Sequence, residues 1–251
     1  MRLGTIKKLL SINIFATLRL NLRYFSFNDA LKLPIIVFGK YRILSTSGSL
    51  IVNCPIKMGL LLLNTSESVM LMGGGKNYKG CISNEGEIIL NGKTRVCEGT
   101  SIQTFKEGHI EFGDKIHIGP NNIICSEKQI KFGNQINMSW FVQIYDTDFH
   151  YAIHEGGNIY PKNKPISIGD HVWIGHHVTI NKGAVIPSNS VIAAGSLVNK
   201  DLRNCGEGLF GGMPAKFIKS SVARIFDNKQ QKKIDNVFKA DIPYTNISAI
   251  K

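Results

Sequence analysis

His150 closes the run Tyr145-Asp146-Thr147-Asp148-Phe149-His150, the stretch of this 251-residue chain that offers the most chemistry. An imidazole titrates near ~6.5 when unperturbed, so at neutral pH its neutral form can take a proton from a poor nucleophile such as a hydroxyl. A carboxylate that accepts from the other ring nitrogen holds the tautomer and stabilises the imidazolium. Asp146 and Asp148 both stand close enough in sequence, and spacing does not choose between them. Tyr145 beside them and Trp140 five positions earlier are the aromatic candidates for contact with an acceptor. The plainer alternative is a surface-loop histidine next to two solvated acids.

The remaining titratable residues exclude more than they assign. Cys54, Cys81, Cys97, Cys125 and Cys205 are odd in number and widely spaced, which argues against a disulfide framework or a structural zinc site and fits a reducing compartment. The net charge of +12 invites a nucleic-acid reading, but the charge is uneven. Residues 1–50 hold eight Lys/Arg against one acid, residues 51–215 hold 14 against 14, and residues 216–251 hold eight against three. The body is neutral and both ends are basic. No zinc-finger spacing or aromatic-rich basic strand accompanies the charge, so no nucleic-acid partner is expected.

A repeat must position these side chains. From Ile168 the sequence reads IGDHVW IGHHVT INKGAV IPSNSV IAAGSL VNK, with aliphatic residues at 168, 174, 180, 186, 192 and 198. A spacing of six matches neither the helix period of 3.6 nor the strand period of 2. It fits a short strand and a turn with one large aliphatic pointing inward, three such units closing a triangular coil. Stacked coils make a solenoid whose inward aliphatics form a continuous core. The period recurs upstream at Leu90, Val96 and Ile102, at Phe112, Ile118 and Ile124, and at Phe132, Met138 and Ile144. It blurs before residue 88. Between Ile144 and Ile168 it breaks for a polar, Gly/Pro-containing excursion, the kind of loop on which binding and catalysis concentrate.

The expected organisation has three parts. Residues 1–45 form a basic, partly helical extension, with residues 5–24 read as a helix. Residues 46–218 form the solenoid, with the ejected loop at about 146–166. Residues 219–251 form a helix and tail, the helix spanning 219–238 and capping strand edges at the open end. The apolar run Leu9 to Leu18 is too short to span a bilayer and lacks a small-residue cleavage site. As part of a basic helix it suits an interfacial position on a membrane, or packing on its own domain.

The repeat, followed by GGMPAKFIK, resembles the hexapeptide-repeat acyltransferases, and within them the galactoside, maltose and virginiamycin acetyltransferase branch. The resemblance covers about residues 110–220. It implies a left-handed parallel β-helix, a homotrimer, and acetyl-CoA in a groove between subunits. It implies His150 as the general base toward an acceptor hydroxyl. His176 after WIG, Ala194 in IAAGS, Asn199 and Lys200 in LVNKD, and Lys216 and Lys219 in PAKFIK match cofactor-contacting positions. No serine or cysteine stands in a nucleophile position, so the implied reaction is direct transfer in a ternary complex. Trp173 lies inside the repeat and is read as a packing or turn residue.

The acceptor follows less directly. A carbohydrate hydroxyl on a surface polysaccharide or its precursor is favoured, because the basic amino-terminal region would bring the enzyme to an anionic membrane. That implies a cytoplasmic protein, peripheral on the inner face of the membrane. An antibiotic, a free sugar, an amino sugar or serine are the other acceptors. A γ-carbonic-anhydrase-like zinc enzyme would use a similar β-helix. His109, His117, His150, His154, His171, His176 and His177 supply imidazoles, but not in that family's metal spacing, so no metal is expected. A β-helix scaffold without catalysis is the non-enzymatic reading.

Overall fold

The computed structural model describes residues 10–66, 79–238 and 247. Its body is a parallel β-helix with three faces, and the chain visits them in a fixed order. A nine-stranded first face starts at Ile35–Val37 and Leu61–Thr65. It continues through Thr94–Cys97, Ile116–Ile118, Asn137–Met138, Trp173–Ile174, Val191–Ile192 and Leu209–Gly211. The second face has seven strands, from Arg42–Ser45 to Leu197–Val198, and the third has six, from Ser49–Val52 to Val185–Ile186. The architecture is mainly β and consistent with the left-handed sense that the resemblance implies.

The six-residue spacing is the physical origin of this shape. Ile168, Ile174, Ile180, Ile186, Ile192 and Val198 fall on the third, first and second faces in turn, all at most 1% exposed. Identical faces then stack in register. Ile82, Ile102, Ile124, Ile144, Ile180 and Val198 form one aliphatic column on the second face. On the third face Phe112 stacks on Phe132 with ring centroids 5.2 Å apart. Neighbouring coils lie about 4.8 Å apart, the hydrogen-bonding distance of any sheet, so each inward side chain sits directly on the next.

The corners need backbone conformations that extended residues cannot supply. Lys115, Gln135, His171 and Asn189 each adopt positive φ at the corner before the first face. Each of the last three donates its N–H to the coil below, to Asp114, Asn134 and Asp170 respectively. Asn121, Phe141, His177 and Gly195 repeat the conformation before the second face. His171 and His177 are therefore corner residues first.

The amino-terminal segment closes one end of the solenoid. Helix α1 (Ile14–Tyr24) begins at Asn13, whose side chain accepts from the Ala16 N–H. Buried Asn21 accepts from the Ile35 N–H at 3.0 Å and donates to the Ile35 carbonyl at 2.7 Å, and Thr17 Oγ1 accepts from Val37 N–H at 3.0 Å. Polar side chains of α1 thus replace the missing neighbour strand at an exposed sheet edge. The short helix α2 (Phe27–Ala30) follows. Residues 5–9 of the expected 5–24 helix lie outside the described residues, and the helix begins only at Ile14 because Ile12 bridges Phe38 as extended chain. The strands at 35–37 and 42–45 fall inside the segment read from sequence as an extension, because this edge is already paired. No helix among the described residues is long and apolar enough to cross a membrane.

The carboxy-terminal segment differs from the expected single helix over 219–238. Lys216–Lys219 instead forms a strand antiparallel to Leu209–Gly211. Helix α3 spans Asn228–Phe238, and its start is set by Asp227, whose Oδ1 accepts from the Lys229 N–H at 2.7 Å. Its residues Gln231, Ile234 and Asp235 line a cleft along the first face.

Candidate active site

The loop that carries His150 leaves after the second-face strand Gln143–Tyr145 and returns at the third-face strand Ile166–Ile168. Its base is fixed by Asp146, which is fully buried. Asp146 Oδ2 accepts from Ser126 Oγ at 2.7 Å and from the Lys128 N–H at 2.9 Å, while Oδ1 accepts from the Glu127 N–H at 2.8 Å. Glu127 extends the anchor, accepting from Thr147 Oγ1 at 3.0 Å and pairing with Lys162 Nζ at 2.8 Å. Lys182, one coil further on, pairs with Asp148 Oδ2 at 2.6 Å and donates to the Pro161 carbonyl at 2.8 Å. Phe149, at φ 61, packs edge-on against Phe105 and Tyr145. His150 follows it and is exposed.

These bonds decide what the two aspartates do here. Both oxygens of Asp146 are engaged by the coil beneath, so its carboxylate pins the loop and does not orient His150. Asp148 meets His150 through its backbone carbonyl, which accepts the His150 N–H at 2.7 Å, while its carboxylate faces Lys182. Neither aspartate therefore holds the imidazole within one chain. Tyr145 is half-buried under Phe149, and burial, then the Cys125 thiol, pushes its phenol up from the ordinary value.

The other expected residues distribute over three edges. Trp140, His176 and Ala194 share the corner between the first and second faces. The His177 N–H bonds to the Trp140 carbonyl and the Gly195 N–H to the His176 carbonyl, so the three sit on successive coils. The Trp140 indole lies flat on the His176 imidazole, centroids 4.8 Å apart and planes 9° apart. His176 Nδ1 is also 3.0 Å from His177 Nδ1, so one of the two carries the shared proton. Above them Ala194 and Gly195 are exposed, and a Cβ on Gly195 would meet nothing within 4 Å. Asn199 and Lys200 are exposed at the next corner, beside Val185, whose N–H bonds to the Lys200 carbonyl. Lys216 and Lys219 are exposed on the antiparallel strand, opposite Gly211 and Leu209.

Sequence reading missed a cleft of about 630 Å³ between the first face and α3. Trp173, read as a packing residue, is 37% exposed and lines this cleft together with Trp140. The Arg224 guanidinium lies 5.3 Å from the Trp173 ring centroid. His117, Asn137 and Gln231 supply polar groups to the same walls. A signal for this row was present, since Arg95, His117, Asn137 and Trp173 each immediately precede an inward aliphatic of the first face. Among the described residues no group of three or more His, Cys, Asp or Glu could hold a metal ion.

Comparison with known proteins places the repeat. Residues 165–200 match the family described as bacterial transferase hexapeptide (six repeats). That segment carries the hexapeptide repeat. The chain is 39% identical over 144 residues to an uncharacterized 24.8 kDa protein in the cps region of Klebsiella pneumoniae, a match covering 57% of this chain. It spans 62% of that relative's length. Among solved structures it is similar to the polySia specific acetyltransferase NeuO, with 20% identity, 82% of this chain and 97% of the other covered, and a TM-score of 0.37. It is also similar to a maltose O-acetyltransferase from Clostridium difficile 630, with 27% identity, 56% and 65% covered, and a TM-score of 0.32.

Proposed function

We propose that this protein is an acetyl-CoA-dependent O-acetyltransferase that acts on a sugar hydroxyl, of a surface polysaccharide or its precursor. The observation that carries the reading is an exposed imidazole, His150, on a loop whose Asp146, Thr147, Asp148 and Lys162 are fastened to Ser126, Glu127 and Lys182 of a hexapeptide-repeat solenoid. His150 accepts the proton of the acceptor hydroxyl as its oxygen attacks, and returns it to the departing sulfur. Acetyl-CoA supplies the activated acyl group. The open corner at Ala194 and Gly195 fits an extended, narrow chain lying close to the backbone. Asn199, Lys200, Lys216 and Lys219 would hold its polar and phosphate parts, lysine serving as a flexible point charge.

Because these residues occupy different edges of one chain, the site is completed by a second copy, in keeping with a homotrimer. His150 and the Trp140–His176 corner lie on opposite sides of the second face. The basic amino-terminal segment supports a peripheral position on the inner face of an anionic membrane, with the protein otherwise cytoplasmic.

The test is transfer of labelled acetyl from acetyl-CoA to a panel of acceptors. The panel holds surface polysaccharides of the source cell and their lipid-linked precursors, together with an antibiotic, an amino sugar and serine. Acetylation of the glycans is the expected result. Transfer only to a non-carbohydrate acceptor would replace the acceptor assignment. Failure to bind acetyl-CoA or CoA by calorimetry would overturn the enzyme and leave a scaffold. Light scattering is expected to give a trimer.

A further inference from the structure

Helix α1 is turned the opposite way from an ordinary surface helix, which faces its apolar stripe to the core and its polar side to water. Polar Thr17 and Asn21 face the solenoid and bond to the edge strand Ile35–Val37, with Leu20 buried beside them. Ile14, Phe15, Leu18 and Leu22 are exposed instead. At about 100° per residue these four fall within an arc of roughly 100°, on the side of α1 turned away from the solenoid. Phe15 is 88% exposed and Ile14 64%. Helix α2 adds Phe27 and the residue that caps it, Leu31, both exposed. Single exposed apolar side chains are ordinary, but a whole stripe of them marks a surface that another body covers.

The charge around the stripe selects that body. Residues 1–28 hold Arg2, Lys7, Lys8, Arg19 and Arg23 and no acid. Arg19 and Arg23 are exposed and follow Phe15 around the helix surface. Asp29, the one acid of residues 1–50, is paired with Lys32 at 2.7 Å. A second copy docked stripe to stripe would set cations against cations. An anionic bilayer accommodates both features, since apolar side chains enter below the headgroups while guanidinium groups stay among the phosphates. With 11 residues α1 is too short to span, so it lies in the plane of the interface.

We propose that this face of α1 and α2 seats in an anionic bilayer, so that the solenoid stands on its amino-terminal end. The strand Gln143–Tyr145, from which the His150 loop leaves, is four steps along the second face from Arg42–Ser45. At about 4.8 Å per step, with the thickness of α1 beneath, the loop root stands roughly 30 Å above the lipid. A lipid-tethered glycan reaches His150 only if its chain spans that height. This consequence for the acceptor deepens the acyltransferase reading and rests on it. The docking itself does not.

Flotation of the full-length chain with vesicles, without acetyl-CoA, tests the docking. Two compositions are compared: equal parts phosphatidylglycerol and phosphatidylcholine, and phosphatidylcholine alone. Partitioning to the anionic vesicles is expected to be at least about 10-fold stronger and to weaken as salt rises. Phe15→Gln combined with Leu22→Gln is expected to lower it by at least about 10-fold, because two apolar side chains no longer leave water. Arg19→Gln is expected to lower it about 5-fold. All three side chains are exposed, so the melting temperatures should match wild type.

Partitioning that survives the Phe15→Gln and Leu22→Gln pair unchanged would overturn the proposal and leave charge adsorption by the basic segment alone. Absence of vesicle binding would also overturn it. Association beyond a trimer that the double variant abolishes would give the stripe to a second copy. Anionic binding that needs the stripe, with no acetyl transfer to any acceptor of the panel, would sustain the docking and refute the acyltransferase reading.

Discussion

Lys182 Nζ sits 2.6 Å from Asp148 Oδ2 and 2.8 Å from the Pro161 carbonyl, so one side chain from the next coil ties both limbs of the His150 loop. The outgoing limb also meets the returning one directly, through the Asp148 N–H and the Lys162 carbonyl at 2.8 Å. The lysine therefore sets where the loop stands relative to the solenoid. Its contribution to stability is small, since Asp148 is half exposed and solvent screens the pair. Lys182→Ala is expected to lower acetyl transfer about 10-fold by misplacing the base, with the melting temperature nearly unchanged. A melting drop as large as the activity loss implies would instead make Lys182 a structural residue.

His150→Ala removes the one exposed imidazole at the loop's outgoing end. General-base catalysis contributes about 10² to 10⁴ in rate, so a loss in kcat of at least about 10² is expected. CoA affinity by calorimetry should stay close to wild type, because the corner proposed for the cofactor, at Ala194 and Gly195, lies on another edge. Wild-type turnover in the variant would remove His150 from the mechanism.

Asp146 is expected to respond through stability. Asp146→Ala leaves the part-buried Glu127 and Lys128 N–H groups without their acceptor, while the Ser126 hydroxyl keeps the His109 carbonyl at 3.1 Å. An abandoned buried donor costs about 1–3 kcal/mol, so a loss of about 2 kcal/mol is expected from denaturant unfolding. Asp146→Asn keeps one acceptor oxygen and should lose roughly half of that. If Asp146→Asn unfolds like wild type yet shifts the pH profile of acetyl transfer, the carboxylate acts on His150 after all.

The three-faced solenoid was legible because one aliphatic every six residues leaves few other ways to bury them. Ile168 through Val198 gave the coil, and the gap after Ile144 gave the loop. What the repeat could not show is what a neighbouring coil contributes. Asp146 reads as a partner of His150 along the chain, but the coil beneath brings Ser126, Glu127 and Lys128 to its carboxylate. Trp173 reads as packing because it sits in the repeat, yet it stands in the slot just before inward Ile174 and so points out. Arg95, His117 and Asn137 hold that same slot on earlier coils, and only the register stacks them into a wall. The helix expected over 219–238 loses Lys219 to a strand that finds an open edge at Leu209–Gly211, a tertiary partner no local pattern announces, and begins only at Asn228, after the Asp227 cap.

The cysteines give a prediction at alkaline pH. Cys125 is buried behind the loop base, and burial, with Asp146 and Glu127 adding to it, pushes its thiol up to about 12. Burial likewise raises the phenols of Tyr24 and Tyr145 above their ordinary range. A group whose pKa is higher folded than unfolded holds its proton more tightly in the native state. Its stabilisation is complete below the unfolded value, about 8.5 for a thiol, and is lost as pH rises toward the folded value. Unfolding free energy is therefore expected to fall progressively above pH ~8.5, and Cys125→Ala should flatten part of that slope. The thiolate is the reactive form, so a thiol reagent at pH 8 should label exposed Cys205 quickly and leave Cys125 untouched until the protein is denatured. Rapid labelling of Cys125 in the native protein would mean that the loop base opens readily, and the rigid anchor assigned to Asp146 would fall with it.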